Sequence, residues 1–283
     1  MRGSQLRTLK CSAVAALALL AVAGCTPRRA APVTVKGSDT MVILGQRWAE
    51  TYMAAHPGTI IQVTGGGSGT GIAALINGTT DICQSSRPIK EDENKQLVAK
   101  FGAPAHEVVV AKDGLAIYLH DSNLVQELDL AQLKAIYTGA VTNWKAVGGP
   151  DAPITVYGRE NSSGTYEYFK EHILGGADFA ATVQTLPGTA AVVNAVAQDP
   201  RGIGYGGAAY AKGVRYCAVK MDAATAGVQP TAENVNAGRY PISRALYFYL
   251  RTAPAGPIKE FVDYTLSAEG QKLVTEVGYF PAQ

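Results

Sequence analysis

The chain is short of charge, of cysteine and of long apolar runs, and each shortage excludes something. Charged residues make up 17% of its 283 positions, with 25 Lys and Arg against 23 Asp and Glu for a formal net of +2. So neutral a chain lacks the basic excess that nucleic-acid binding requires, so no nucleic-acid partner is expected. Four cysteines, at 11, 25, 83 and 217, are too few and too dispersed for a disulfide scaffold. The longest apolar run, residues 11–23, has 13 residues, whereas a membrane-spanning helix needs roughly 20. Signatures of catalysis are missing as well. His56, His106, His120 and His172 are scattered without metal-ligand spacing, and no lysine follows the glycine-rich stretch at 65–71 as a P-loop demands. Ser68, in Gly66-Gly67-Ser68-Gly69, lacks the second glycine of a nucleophile elbow. The expectation is a protein that is not an enzyme and uses no metal or cofactor.

The short apolar run has a different meaning at the N-terminus. Arg2, Arg7 and Lys10 precede it, and Val22-Ala23-Gly24-Cys25 ends it with small residues and a cysteine. This is the pattern of an export signal, 1–24, resembling a lipobox cleaved before Cys25 with lipid attached to that cysteine; an ordinary signal peptide ending near a cysteine is the simpler alternative. Without residues 1–24 the balance becomes 22 Lys and Arg against 23 Asp and Glu, a net of −1. Residues 25–32 are proline-bearing and non-periodic, and read as a tether. The remaining length exceeds one typical domain, so two are expected. Cys83 and Cys217 then remain as either a disulfide or two buried free thiols.

What the sequence does have is glycine, 31 residues of it, concentrated where apolar runs end. Strand-like stretches are expected at 34–36, 59–64, 107–111, 115–120, 154–157 and 245–250. Helices are expected at 40–55, with the stripe Met41, Leu44, Trp48, Tyr52 and Ala55, at 165–174, and at 258–277. Alternating strands and helices imply an α/β fold with a parallel or mixed sheet covered on both faces. Three Ser/Gly clusters occupy strand-to-helix turns: Gly37-Ser38-Asp39-Thr40, the run 65–71 with five glycines in seven residues, and 159–165 (RENSSGT). A helix start carries unpaired backbone N–H groups and a partial positive charge, so three of them meeting would surround an oxyanion with fixed donors. Arg159 at a strand end is placed to pair bidentately with a tetrahedral anion. Ser85-Ser86-Arg87-Pro88 offers further hydroxyls and a guanidinium. Each cluster also has a plainer reading, as a capped turn or a surface residue.

Six ordered segments, GSDT at 37–40, residues 64–89 (TGGGSGTGIAALINGTTDICQSSRPI), IYTGAVTNWKAVGG at 136–149, YGRENSSGTYEYF at 157–169, YPISRALYFYL at 240–250 and SAEGQKLVTEVGYFP at 267–281, resemble the phosphate-binding proteins that serve phosphate ABC importers. The resemblance implies a type II periplasmic-binding-protein fold: two α/β domains, 33–118 with 241–283 and 119–240, with mixed sheets joined by crossing hinge strands. It implies inorganic phosphate held in the cleft by a monomer and delivered to a membrane permease. Carried over position by position, the ligand contacts fall on Ser38, Asp39, Thr40 and Met41, whose amide is one donor; on Ser68; and on Arg159, Ser163, Gly164 and Thr165. One departure matters. Better-known relatives carry an aspartate where this chain has Ser86, followed by Arg87, and that aspartate accepts the proton of hydrogen phosphate. Asp39 is expected to substitute as the acceptor, with Ser86 and Arg87 as added donors. A receptor for sulfate, molybdate or tungstate, and a surface phosphomonoesterase, are the alternatives.

Overall fold

Strands and helices alternate along the chain as the apolar spacing requires. The computed structural model describes residues 31–282; the leader 1–24, Cys25 and most of the tether lie outside the described residues. The strands are β1 Val33–Gly37, β2 Ile61–Thr64, β3 Ile82–Ser85, β4 His106–Leu119, β5 Glu127–Asp129, β6 Thr155–Arg159, β7 Gln184–Leu186, β8 Gly202–Gly207, β9 Arg215–Lys220 and β10 Ser243–Leu250. The helices are α1 Val42–Ala55, α2 Ser68–Asn77, α3 Glu91–Phe101, α4 Leu130–Tyr137, α5 Gly164–His172, α6 Thr189–Gln198, α7 Ala232–Asn236, α8 Gly256–Leu266 and α9 Ala268–Val277. Among the described residues no helix is long and apolar enough to cross a membrane.

The sheet runs β2-β1-β3-β10-β4-β8-β6-β7, with β9 on β4 and β5. It is mixed. β1 lies parallel to β2 and β3, and β6 parallel to β7 and β8. Between these parallel sets, β10 and β4 run antiparallel to each other and to their outer neighbours. This is the expected α/β arrangement with crossing strands. Apolar side chains gather into two large clusters. One contains Val35, Leu44, Trp48, Ile82, Phe248 and Phe261; the other contains Ile117, Leu133, Trp144, Phe169, Ile203 and Tyr205. β4 contributes to both, with Val110 in the first and Leu115 in the second.

The α1 stripe is buried at Met41, Leu44, Trp48 and Tyr52, each burial stabilising by about 1.5–3 kcal/mol; Ala55, at the last turn, is exposed. The Trp48 indole also needs an acceptor and finds the Gly270 carbonyl at 2.8 Å.

Two expectations are corrected. The strands expected at 107–111 and 115–120 are one, β4, because β10 stays in register through the intervening residues, with Arg244 opposite Asp113 and Ser243 opposite Gly114. The helix expected over 258–277 breaks at Ser267, whose backbone is extended (φ −66°, ψ 166°) and whose hydroxyl accepts the Gly270 amide at 3.2 Å. A serine cap starts a second helix even where the apolar stripe continues unbroken.

Cys83 and Cys217 are buried free thiols, packed in separate apolar clusters. Burial pushes both thiols up, that of Cys217 to about 12, so neither is a nucleophile near neutrality. In a mature Cys25→Ser protein, a thiol reagent is expected to find no reactive group before denaturation and two after it. Two further thiols appearing only on reduction would contradict this.

Candidate functional site

The site begins with a backbone contact that only glycine permits. β1 ends at Gly37, with φ at +144°, and a Cβ there would lie 2.1 Å from the Gln84 carbonyl oxygen. The following amide, Ser38 N, donates to that same oxygen at 2.8 Å. Ser38 is thereby pinned to the end of β3, and its hydroxyl donates to Ser86 Oγ at 2.8 Å. Gly67 precedes α2 with φ at +91°, in a place where a Cβ would meet the Ser162 carbonyl at 2.4 Å. It positions Ser68, whose Oγ accepts the Ser86 amide at 3.1 Å and lies 3.4 Å from Ser86 Oγ.

The third loop arrives from the other core. Ser163 caps α5, its Oγ accepting the amides of Thr165 and Tyr166 at 3.1 and 3.3 Å. Gly164 then packs so tightly that a Cβ would lie 2.3 Å from Ser68 Oγ and 2.8 Å from Ser86 Oγ. Thr165 Oγ1 is 2.9 Å from Thr40 Oγ1. The starts of α2 and α5 and the turn before α1 therefore meet, bringing the hydroxyls of Ser38, Thr40, Ser68, Ser86 and Thr165 into one buried group. Hydroxyls rotate, so a group that pairs internally can also turn its protons toward an oxyanion.

Arg159 stands beside this group, fully buried. Its Nε and Nη2 donate to Glu160 at 3.1 and 2.8 Å, Nη2 also to Asp39 Oδ2 at 2.9 Å, and Nη1 to Thr189 Oγ1 at 2.8 Å. Burial pushes the Glu160 carboxyl up, but the Arg159 bonds and charge outweigh it and hold it below the usual carboxylate range. Another ion pair, Lys90 with Glu167 at 2.5 Å, joins the segment before α3 to α5.

Three sequence expectations change here. Asp39 does not offer a free acceptor: Oδ1 accepts the Gly66 amide and Oδ2 accepts Arg159, both at 2.9 Å. Arg87 does not add donors to the group. Its Nη1 and Nη2 go to Glu93 at 2.8 and 2.7 Å, and Nη1 also to the Pro88 carbonyl, because Glu93 sits in the first turn of α3 and also accepts the Lys90 amide. The Met41 amide, expected as a donor, is engaged by the Ser38 carbonyl at 3.0 Å.

One pair escaped the sequence reading altogether. Arg244 Nε and Nη2 donate to Asp113 Oδ2 at 3.1 and 2.9 Å, and Nη2 also reaches Thr165 Oγ1 at 3.0 Å. Burial pushes the Asp113 carboxyl up against the pull of Arg244. The signal was Arg244, the single charged residue of β10, together with Asp113 at the head of the apolar half of β4. Among the described residues no group of three or more His, Cys, Asp or Glu side chains is placed to hold a metal ion.

Known proteins resemble the chain in sequence and in overall fold. Residues 23–269 match the family model described as the PBP superfamily domain. A phosphate-binding protein PstS of Pseudomonas aeruginosa is 36% identical over 262 residues, covering 87% of this chain and 81% of the relative. The Bacillus subtilis phosphate-binding protein PstS is 35% identical, covering 88% of this chain and 80% of that one. Among solved structures, an ABC transporter substrate-binding protein with bound phosphate from Clostridium perfringens superposes with a TM-score of 0.81 at 31% identity, covering 89% of this chain and 100% of that one. An ABC-type phosphate transport receptor from Vibrio cholerae does so with a TM-score of 0.71 at 31% identity, covering 88% and 99%. With a family match over most of its length and relatives of this similarity, the chain belongs to the PBP superfamily and, within it, to the PstS family of phosphate-binding proteins.

Proposed function

We propose that the chain is an extracytoplasmic receptor that captures inorganic phosphate and delivers it to the permease of an ABC importer, held at the membrane by a lipid on Cys25. The observation that carries the reading is the meeting of two helix starts and five buried hydroxyls at one point, with no metal-holding cluster among the described residues. Such a site suits a small tetrahedral oxyanion, because fixed neutral donors replace its hydration shell without requiring a counterion. The direct donors are Ser38, Thr40, Ser68, Ser86, Gly164 and Thr165, with Arg159 and Ser163 fixing the frame. The segments 33–118 with 241–283 and 119–240 act as two lobes that close on the ion about β4 and β10, as a monomer.

Native mass spectrometry and isothermal titration test this. The purified protein is expected to carry one phosphate, and titration of stripped protein to give one tight site. Because the closed site is shielded, a tenfold rise in ionic strength is expected to change the Kd by less than about threefold. No heat with phosphate, or displacement of phosphate by equimolar sulfate or molybdate, would overturn the reading. A phosphomonoesterase would need turnover, and no hydrolysis of a phosphate ester is expected at high protein concentration.

A further inference from the structure

Asp113 and Arg244 present two polar atoms that no other described residue answers. They face each other in register on β4 and β10, with side-chain exposures of 0% and 3%. Both donors of Arg244 that reach the carboxylate converge on a single oxygen, Oδ2. The other carboxylate oxygen, Oδ1, and the other guanidinium nitrogen, Nη1, are buried without a hydrogen-bond partner among the described residues. A buried polar atom left unpaired is costly, and more so when charged. Two adjacent ones of opposite character call for a common explanation.

Their surroundings give it. Arg244 Nη2 bonds Thr165 Oγ1 at 3.0 Å, so the pair abuts the hydroxyl group of the site directly. Asp113 Oδ1 lies 3.1 Å from the point a Cβ on Gly207 would occupy, and the Thr40 methyl lies 3.1 Å from the same point. The open oxygen is therefore within two contact distances of Thr40. Neighbouring hydroxyls are already committed: Tyr279 donates to the Thr40 carbonyl, and Tyr118 to the Gly207 carbonyl at 2.6 Å. The Ala208 amide favours the ionised carboxylate without bonding Oδ1 in hydrogen-bond geometry. Asp39, the carboxylate expected to face the ligand, has both oxygens occupied.

We infer that Asp113 and Arg244 form the floor of the anion site and that Asp113 is the specificity-determining acceptor, its Oδ1 taking the P–OH proton of hydrogen phosphate while Arg244 Nη1 donates to an unprotonated oxygen. The inference rests on the phosphate reading above. Hydrogen phosphate brings one donor and several acceptors, which answers both orphans at once. Sulfate near neutrality brings acceptors only, and sets a bare oxygen against the carboxylate.

The test is titration of phosphate and sulfate into the wild type, Asp113→Asn and Asp39→Asn at neutral pH. The amide that replaces the Asp113 carboxylate would offer an N–H to an unprotonated oxygen, so the sulfate-to-phosphate affinity ratio is expected to rise at least about tenfold in Asp113→Asn. Asp39→Asn is expected to weaken both anions without changing their ratio. An unchanged ratio in folded Asp113→Asn protein overturns the inference. Should that variant fail to fold because Arg244 loses its counter-charge, a crystal structure of the wild type with phosphate decides. A ligand oxygen within hydrogen-bond reach of Asp113 Oδ1 supports the assignment, and an ion contacting only other groups overturns it. Failure of the wild type to bind phosphate has a separate signature and overturns the proposed function instead.

Discussion

Arg159→Ala is expected to weaken phosphate binding by about two to three orders of magnitude while leaving the circular dichroism spectrum unchanged. The side chain is 1% exposed and holds Glu160, Asp39 and Thr189 through four nitrogen-to-oxygen contacts. Deleting one partner of a buried ion pair costs about 3–5 kcal/mol, because the opposite charge stays buried without compensation. Here two partly buried carboxylates lose their guanidinium, Asp39 and Glu160, and Asp39 directly precedes Thr40 of the hydroxyl group. The loss falls on the ligand-bound form in particular, since the Asp39 contact joins positions 120 residues apart, from the two core regions. Arg159→Lys keeps the charge but cannot reproduce the fork to Glu160, so an intermediate loss is expected. The sign of the pH effect follows from Glu160. Its carboxyl is held low by Arg159, so in Arg159→Ala it reverts upward, and residual affinity should improve as falling pH neutralises it. An Arg159→Ala protein that binds phosphate within about threefold of the wild type would remove Arg159 from the site.

The convergence of the three loops was legible in the sequence because its signals are local. Gly37, the glycines before Ser68 and the cap at Ser163 each announce a strand-to-helix turn within a few residues, and in an α/β sheet such turns share one edge. What was not legible is which side chain answers which. Asp39 reads as an acceptor near the ligand loop until Arg159, distant in sequence, claims it. Arg87 reads as a donor until Glu93, in the first turn of α3, claims it. The Lys112-Asp113-Gly114 stretch looks like a turn because polar and glycine residues usually end strands. It remains in β4 because Arg244, in the facing strand, neutralises the one charge that would otherwise forbid burial. The apolar stripe over 258–277 hides the break at Ser267, since both α8 and α9 turn their apolar faces to the same core.

Gly164→Val is expected to lower phosphate affinity more than a hundredfold with little change in melting temperature, and the reason separates function from folding. Gly164 opens α5 with a φ outside the positive range, so its backbone conformation is open to any residue. Replacing glycine within a helix by a residue with a side chain generally costs nothing in propensity, and can gain a few tenths of a kcal/mol. The obstacle is entirely across the contact. The first added carbon would lie 2.3 Å from Ser68 Oγ, 2.8 Å from Ser86 Oγ and 2.9 Å from Ser68 Cβ. The hydroxyls can rotate away, but Ser68 Cβ is fixed by α2 and cannot, so the two helix starts must separate by several tenths of an ångström. Valine adds two methyls to that wedge. Hydrogen bonds to an anion weaken steeply once donors leave their narrow distance range, and here the donors from α2 and α5 would be drawn apart together. Gly164→Ala, with a single carbon, should fall between the wild type and valine. Stability and binding are therefore predicted to respond in different proportions along the series Gly, Ala, Val. If Gly164→Val bound phosphate within tenfold of the wild type, the ion could not be sitting between the starts of α2 and α5, and the site would have to be sought elsewhere in the fold.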